Sequence, residues 1–251
     1  GMYPPGSTFK TTQGLTFLTE GIIGPGTSFP CHHGFYCRGL HVGCHGHASP
    51  ISLVPAIGTS CNGYFCWGLY YMLGNRKKYK NVQEGMNTWR DYMVSMGFGY
   101  KLGIDLSGEK RGLIPNAQYY DKAYRGSWNA LTVISIAIGQ GEVLLTPLQI
   151  ANLGATIANR GYFYTPHVVK KVKGEQLEAK FREKHYTKAS RRAYEYIVAG
   201  MRSAVTGGTC RAADRADYEV CGKTGTAQNH GQDHSISVSY THLTLPTKRI
   251  V

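Results

Sequence analysis

The chain has 251 residues, of which 42% are hydrophobic, and its formal net charge at pH 7 is +13. This length suffices for one large or two small domains, and no run of about 20 apolar residues is present that would span a bilayer. No nucleic-acid motif accompanies the basic clusters, so they are interpreted as solvated surface, with an anionic lipid or polymer as the functional alternative.

The first predicted element is a helix that begins at Ser7, after Tyr3-Pro4-Pro5-Gly6, and ends near Gly21. On a helix, Lys10 lies on the same face as Ser7 and its amine stands beside the serine hydroxyl. An uncharged lysine can take the hydroxyl proton and make the serine a nucleophile. The free N–H groups and the dipole at the helix start favour a developing oxyanion near Ser7.

Residues 22–58 are dense in glycine, proline, cysteine and histidine and are predicted to form a loop. Together with Cys61 they make a Cys/His-rich subregion, residues 22–61. Its candidate ligands are Cys31, Cys37, Cys44, His45, His47 and Cys61. A compact set of soft ligands suits tetrahedral zinc. Seven cysteines in an oxidising compartment could instead form disulfides, with one left over.

Four further helices are predicted from apolar spacing and from start and stop signals. They cover residues 62–73, 81–96, 146–159 and 189–205. The third begins with Thr146-Pro147, an N-cap followed by a first-turn proline. Residues 97–145 are predicted to be glycine-rich connections.

Two strands are predicted from alternation of apolar residues. Residues 217–229 are expected to carry Lys223, and residues 162–172 alternate more weakly. In residues 236–251 the alternation resembles a short strand, but Pro246 and the basic end are expected to halt it.

The chain is therefore divided into residues 1–235 and an irregular tail, residues 236–251.

Three short motifs occur in a fixed order along the chain. Ser7-Thr8-Phe9-Lys10 is followed by Ser60-Cys61-Asn62 and then by Lys223-Thr224-Gly225-Thr226. Each is weak alone, because Ser107–Lys110 repeats the first spacing and Ser127-Trp128-Asn129 repeats the second. In order, they are the set found in serine β-lactamases and penicillin-binding proteins.

With these motifs, the chain resembles the transpeptidase domain of class B penicillin-binding proteins, in particular the elongation-type penicillin-binding protein 2. The resemblance covers about residues 1–235. It rests on Tyr3–Lys10, Gly103-Ile104-Asp105-Leu106, Ile138-Gly139-Gln140-Gly141, Thr146-Pro147 and Gly222–Ala227. It implies the α+β fold of penicillin-binding proteins and serine β-lactamases, here incomplete at both ends: an antiparallel sheet flanked by helices, with the serine helix in the middle. The family sheet has strands before the serine helix and further strands after the Lys223 strand. The resemblance therefore implies that residues 1–235 are a partial domain, that residues 236–251 are a non-native tail and that the Lys223 strand is an exposed edge. The chain expressed alone is accordingly expected to be poorly folded and inactive.

The resemblance also implies roles for the motif residues. Ser7 would attack the carbonyl carbon of the penultimate D-alanine of a peptidoglycan stem peptide, and Lys10 would take its proton. Suppression of the Lys10 charge by burial and by Lys223 would make this feasible. Ser60 would relay a proton to the leaving D-alanine, and Asn62 would hold Lys10 and the substrate amide.

Substrate binding is assigned to the third motif in the same way. Lys223, Thr224, Gly225 and Thr226 would bind the terminal carboxylate of the peptide through charge-assisted contacts. The backbone N–H groups of Ser7 and Thr226 would form the oxyanion hole.

No cofactor is expected for catalysis, but some members of the resembled group carry zinc beside the active site. Matching their ligands by order gives Cys31, Cys44, His47 and Cys61, with Cys37, His41 and His45 in reserve.

Two other functions stay open. The first is a serine β-lactamase, which is disfavoured because no Glu-x-x-Leu-Asn segment lies between Asn62 and Lys223. The second is a penicillin-sensing or scaffolding domain that is acylated but transfers the acyl group to no acceptor. Peptidoglycan stem peptides and β-lactams are the implied ligands. A membrane anchor, a glycosyltransferase and elongation-complex proteins are the implied partners, with the catalytic domain on the outer, periplasmic face of the bacterial cytoplasmic membrane.

Overall fold

A computed structural model describes residues 1–171, 173–227 and 234–242. The helices found there are α1 Lys10–Thr19, α2 Leu53–Gly58, α3 Asn62–Gly74, α4 Val82–Ser95, α5 Ala117–Tyr124, α6 Pro147–Ala158 and α7 Arg191–Thr206. The strands are β1 Ser28–Phe29, β2 Gly34–Cys37, β3 Leu40–Gly43, β4 Ile51–Ser52, β5 Tyr162–Tyr164, β6 Lys184–Tyr186, β7 Glu219–Ala227 and β8 His234–His242. Short 3-10 helices lie at Gly6–Phe9, Ile134–Ile138, Ala179–Phe181 and Arg211–Ala213. Within the described residues, none of the helices has the length and apolarity that a bilayer crossing requires.

The strands pair antiparallel in two-stranded units: β1 with β4, β2 with β3, β5 with β6 and β7 with β8. The last pair is the longest, and its register places Lys223 opposite Val238. Helix α7 packs against β7 and helix α6 against β8. Helices therefore flank antiparallel strands, and the predicted α+β class is confirmed.

Helix α1 forms the centre of the core and is buried from Lys10 to Phe17. Its buried threonines bond to backbone carbonyls three or four residues earlier, and Gln13 Oε1 accepts the indole N–H of Trp89 at 2.9 Å. Such bonds offset the cost of burying polar groups. A Cβ atom on Gly14 would lie 2.7 Å from the Ile197 side chain, so glycine there allows α7 to pack closely against α1.

The four helices predicted after α1 are confirmed as α3, α4, α6 and α7. Their ends follow local chemistry. The Thr146 side chain accepts the N–H of Gln149, whose own side chain accepts the N–H of Thr146, a capping box at the start of α6. The side chains of Asn81 and Ser190 cap α4 and α7 by accepting the backbone N–H three residues further on.

Two regions predicted to be irregular contain regular elements. Residues 22–58 hold the β1–β4 pair, the β2–β3 hairpin and helix α2, and residues 97–145 hold α5 and a 3-10 helix. These elements are too short to give a periodic pattern in the sequence. Of the weak strand predicted at 162–172, only residues 162–164 are extended, and Val172 lies outside the described residues.

The prediction that residues 236–251 are irregular is wrong over 236–242, which belong to β8. The alternation there is real, because Val238 is buried and packs against Gly154 of α6. β7 therefore has a paired neighbour and is not the unpaired edge that was expected. Residues 243–251, with Pro246, lie outside the described residues, and the division of the chain at residue 235 stays a prediction.

Candidate active site

Ser7 lies in the 3-10 helix that leads into α1, where this turn is held against β7. Gly6 has a φ of 56°, and a Cβ atom on it would lie 2.6 Å from the carbonyl oxygen of Thr226. A Cβ atom on Gly225 would in turn lie 3.0 Å from the carbonyl oxygen of Pro5. Glycine at both positions lets the two backbones approach, and this places Ser7 and Thr226 at one cleft.

The side chain of Lys10 is fully buried and makes three hydrogen bonds. Its Nζ lies 2.6 Å from the carbonyl oxygen of Ser60, 3.1 Å from Ser60 Oγ and 2.6 Å from Asn62 Oδ1. Asn62 Nδ2 donates to the carbonyl of Gly43 at 2.7 Å, which keeps Oδ1 directed at the lysine. Lys10 was expected beside the Ser7 hydroxyl. Among the described residues its hydrogen bonds go to the Ser60–Asn62 motif, and none goes to Ser7.

Ser60 lies between two lysines from distant parts of the chain. Its Oγ is 3.1 Å from Nζ of Lys10 and 2.8 Å from Nζ of Lys223. Its φ of 59° is unusual for a residue other than glycine and is typical of functional sites. A serine oxygen has two lone pairs, so with both lysines donating to it the hydroxyl proton can point into the cleft. The hydroxyl can therefore pass a proton between the lysines and a bound group.

The surroundings make both lysines less basic. Burial lowers the pKa of Lys10 to about 8, although nearby sulfur atoms, that of Cys44 first, oppose this shift. Burial, followed by the charge of Lys10, lowers the pKa of Lys223 well below its usual range. Because removal from water disfavours the charged form, an uncharged amine is accessible close to neutral pH.

These groups surround an open cavity of about 320 Å³. Its lining residues are Ser7, His45, Ser60, Asn62, Ile138, Gln140, Thr209, Thr224 and Thr226. Five of the predicted site residues are among them, and the two lysines reach the cavity through their bonds to Ser60. Gly225, the remaining residue of the three motifs with a predicted role in the cleft, allows β7 to approach the Ser7 turn closely.

Four lining residues were not predicted to belong to the cleft, although one of them, His45, was named as a reserve metal ligand. They are His45, Ile138, Gln140 and Thr209. Ile138 and Gln140 flank Gly139, whose carbonyl accepts the N–H of Gly6 at 2.9 Å; this stretch carries part of the family resemblance, and that signal could have found them. Thr209 follows two glycines after α7 and belongs to none of the motifs, so its place in the cleft can be seen only in the folded structure.

Four side chains of the Cys/His-rich subregion converge beside the start of α3. The ligand atoms of Cys31, Cys44, His47 and Cys61 all lie within 4.8 Å of one another. These are the four residues that matching by order had selected. Three sulfur atoms and one imidazole nitrogen at such separations fit the donor set and the size of a tetrahedral zinc site.

Hydrogen bonds join this sulfur cluster to the segment from Ser60 to Tyr64. The backbone N–H of Asn62 donates to Cys44 Sγ, and that of Tyr64 donates to Cys61 Sγ, both at 3.2 Å. The Cys61 thiol, followed by the N–H of Asn62, lowers the pKa of Cys44 to about 3, and the same hydrogen bond raises the pKa of Cys61, so the thiolate of this pair is favoured on Cys44. All seven cysteines are free thiols in the structure, and none is paired in a disulfide.

Comparisons with known proteins agree with this geometry. The family described as "Penicillin binding protein transpeptidase domain" matches residues 1–245. A peptidoglycan D,D-transpeptidase, MrdA of Acinetobacter baumannii, is 32% identical over 237 residues. That match covers 91% of this chain and 33% of the relative, so the chain spans about a third of the relative's length.

Solved structures give the same result for the fold. Penicillin-binding protein 2 of Pseudomonas aeruginosa superposes with a TM-score of 0.78 at 27% identity, over 96% of this chain and 53% of that one. Penicillin-binding protein 2 of Helicobacter pylori, solved in a complex with MreC, gives a TM-score of 0.70 at 25% identity, over 94% and 42%. The resemblance to penicillin-binding protein 2 that the motifs indicated is confirmed. The chain belongs to the transpeptidase domain family of the penicillin-binding proteins.

Proposed function

We propose that the chain is the catalytic part of a peptidoglycan D,D-transpeptidase, which crosslinks stem peptides through an acyl-enzyme on Ser7. The observation that carries this proposal is the convergence of two buried lysines, Lys10 and Lys223, on the Ser60 hydroxyl in the cleft that Ser7 lines. Acyl transfer moves a proton in each half-reaction, and positioned groups of suitable pKa are what such steps require.

In the acylation step, Ser7 Oγ forms a bond to the carbonyl carbon of the penultimate D-alanine. Uncharged Lys10 takes the Ser7 proton. This transfer requires the bound substrate to bring the Ser7 hydroxyl within hydrogen-bond distance of the Lys10 amine. The bond from the carbonyl carbon to the nitrogen of the last D-alanine then breaks. Ser60 passes a proton to that nitrogen and is reprotonated by a lysine, so the last D-alanine leaves as a neutral amine.

The third motif orients the substrate. Lys223, Thr224 and Thr226 face the carboxylate of the leaving D-alanine. The backbone N–H groups of Ser7 and Thr226 bind the oxyanion of the tetrahedral intermediate, a role supported by the close approach of the Ser7 turn to β7. The small Gly225 is what permits that approach.

In the transfer step, an amine of a neighbouring stem peptide attacks the acyl carbon and releases Ser7. The amine gives up one proton, and Ser7 Oγ regains one through the same relay. A β-lactam enters the first step only: its ring opens on Ser7, and the adduct persists because the amine-bearing part of the ring stays attached.

We further propose that Cys31, Cys44, His47 and Cys61 hold a structural zinc ion. A closed set of four protein ligands gives such a metal a stabilising role. Because Cys61 lies between Ser60 and Asn62, a filled site braces the wall of the cleft that carries both catalytic side chains.

The cellular setting is proposed from the family. The protein acts at the outer, periplasmic face of the bacterial cytoplasmic membrane, held by an anchor. It works with a glycosyltransferase and elongation-complex proteins, a setting supported by the complex of the Helicobacter pylori relative with MreC.

Mass spectrometry after incubation with a β-lactam tests the function. In the full-length protein, of which this chain is the proposed catalytic part, we expect a gain of one β-lactam mass, mapped to the peptide that contains Ser7 and lost in Ser7→Ala. Ser107→Ala, which changes the serine of the other S-x-x-K sequence, is the matched control and should label normally. Labelling that survives Ser7→Ala would refute the assignment.

The fate of the adduct separates the alternatives. A transpeptidase yields a crosslinked product from a stem-peptide donor and an acceptor amine, and its β-lactam adduct is long-lived. Rapid loss of the adduct with release of opened β-lactam would instead identify a β-lactamase. A stable adduct without any crosslinked product from peptides would identify a sensor.

The rate of adduct formation is expected to rise with pH through the pKa of Lys10, about 8. Only the uncharged amine can accept the Ser7 proton, so the rate should fall below this pH and level off above it. The titratable groups that act on Lys10 are Lys223 and the thiols of Cys31, Cys44, Cys61 and Cys66. Second-order labelling rates from about pH 6 to about pH 10 measure the profile. A rate independent of pH over that range would contradict the base role of Lys10.

A further inference from the structure

Thr209 places a second hydroxyl next to Thr224 in the catalytic cleft. Thr224 Oγ1 donates to Thr209 Oγ1 at 2.9 Å, and both residues line the same cavity as Ser7. Thr209 belongs to none of the three motifs. It comes from the turn after α7, so the cleft receives a hydroxyl from an element that the motifs do not include.

The backbone holds this turn rigidly beside the catalytic motif. The N–H of Thr209 donates to the carbonyl of Gly58 at 3.1 Å, two residues before Ser60. Gly208 packs so tightly on Gly58 that a Cβ atom on it would overlap the Gly58 carbonyl. The N–H of Cys210 donates to the carbonyl of Ala204 in α7 at 2.8 Å. Thr209 is therefore fixed relative to both Ser60 and β7.

Counting protons shows what the hydroxyl pair can do. Each hydroxyl has one proton, and the bond between Thr224 and Thr209 uses one of the two. The remaining proton, on Thr209, is free to be donated, and the first bond strengthens it as a donor. No aspartate or glutamate is among the described residues that line the cavity, so no carboxylate of theirs competes there with a ligand for this proton. A carboxylate, which only accepts, is the matching group.

We propose that Thr209 is a specificity-determining residue that donates a hydrogen bond to the terminal carboxylate of the donor peptide, alongside Thr224 and Thr226. The inference rests on the proposed transpeptidase function and deepens it. The carboxylate is recognised by donors from two separate elements, β7 and the turn after α7. Loss of the Thr209 hydroxyl thus weakens selection for a free C-terminus rather than the chemistry at Ser7.

The test compares two D-alanyl thioesters on Thr209→Val. One ends in a carboxylate and the other in the corresponding carboxamide. We expect acylation by the carboxylate thioester to slow about tenfold or more, since hydrogen bonds to charged groups are the strong ones, and acylation by the carboxamide to change less than about twofold. Thr209→Ser, which keeps the hydroxyl, should restore the preference for the carboxylate. Thr206→Val is the matched control, because its hydroxyl bonds to the carbonyl of Arg202 within α7.

The ratio of the two rates is measured on one protein sample and is insensitive to the folded fraction. Equal slowing of both thioesters, or no slowing of either, overturns the role of Thr209 while the Ser7 adduct still forms. Absence of a Ser7 adduct in the unaltered chain overturns the proposed function, and this inference with it.

Discussion

Replacement of Lys10 by methionine is expected to slow acylation of Ser7 by about a hundred- to ten-thousandfold, the usual contribution of a general base. Methionine is similar in length and uncharged, so Lys10→Met removes the base while filling the same buried space. The second-order rate of β-lactam adduct formation, followed by intact-mass spectrometry, measures the effect. The thiol and imidazole groups of the sulfur cluster are untouched by this change.

The control is Lys78→Met, which removes an amine that pairs with Glu20 at 2.6 Å on the surface. This variant should label at the unaltered rate. Because Lys10→Met leaves the Asn62 amide oxygen without its donor, each variant is also checked by thermal melting. A folded Lys10→Met protein that acylates as fast as the unaltered chain would show that another group acts as the base.

Loss of one of the proposed zinc ligands is expected to have the largest effect on stability. Structural zinc contributes about 10–16 kcal/mol of apparent binding energy in small zinc domains, and even about 3 kcal/mol corresponds to roughly 6–12 °C in the melting midpoint of a domain of this size. We therefore expect Cys31→Ser to lose one zinc per chain and to melt at least about 6 °C lower. Native mass spectrometry gives the metal count and calorimetry the midpoint.

Cys37→Ser is the matched control, because Cys37 lies in the same subregion but outside the cluster. It should retain the metal and the midpoint. A chelator should reproduce the effect of Cys31→Ser in the unaltered chain. Purified protein that contains no metal and has these cysteines joined in disulfides would overturn the proposed site.

Sequence patterns predict the helices of this protein better than its strands. A long apolar stripe predicts the helix at residues 81–96, and the N-cap residue Thr146 predicts the start of the next long helix, α6. The β2–β3 hairpin and α5 are not predicted, because each is too short for its apolar residues to show a strand or helix period. Pro246 argued against a strand in residues 236–251, yet a proline disrupts pairing only near its own position, and the described part of β8 reaches His242, four residues before the proline.

Part of the candidate site can be predicted from local sequence, and part depends on contacts between segments that are distant in the chain. Ser60, Asn62 and Lys223 lie in short motifs that can be read along the chain. The contact of Lys10 with Ser60 and Asn62, rather than with Ser7, depends on how α1 packs against the start of α3. The place of Thr209 depends on the turn after α7 meeting β7. Such pairings between distant segments leave no local pattern.

The tripeptide Ser60-Cys61-Asn62 limits how this protein can evolve. Ser60 contacts two lysines, Cys61 caps α3, and Asn62 bonds to both Lys10 and Cys44. Each of the three residues thus makes an internal contact, and a substitution here is expected to lower both the stability of the fold and the rate of the reaction. Adaptation to a new ligand, including escape from an inhibitor, is therefore expected on the freer walls of the cleft. Gln140, which lines the cavity outside the three motifs, is such a position.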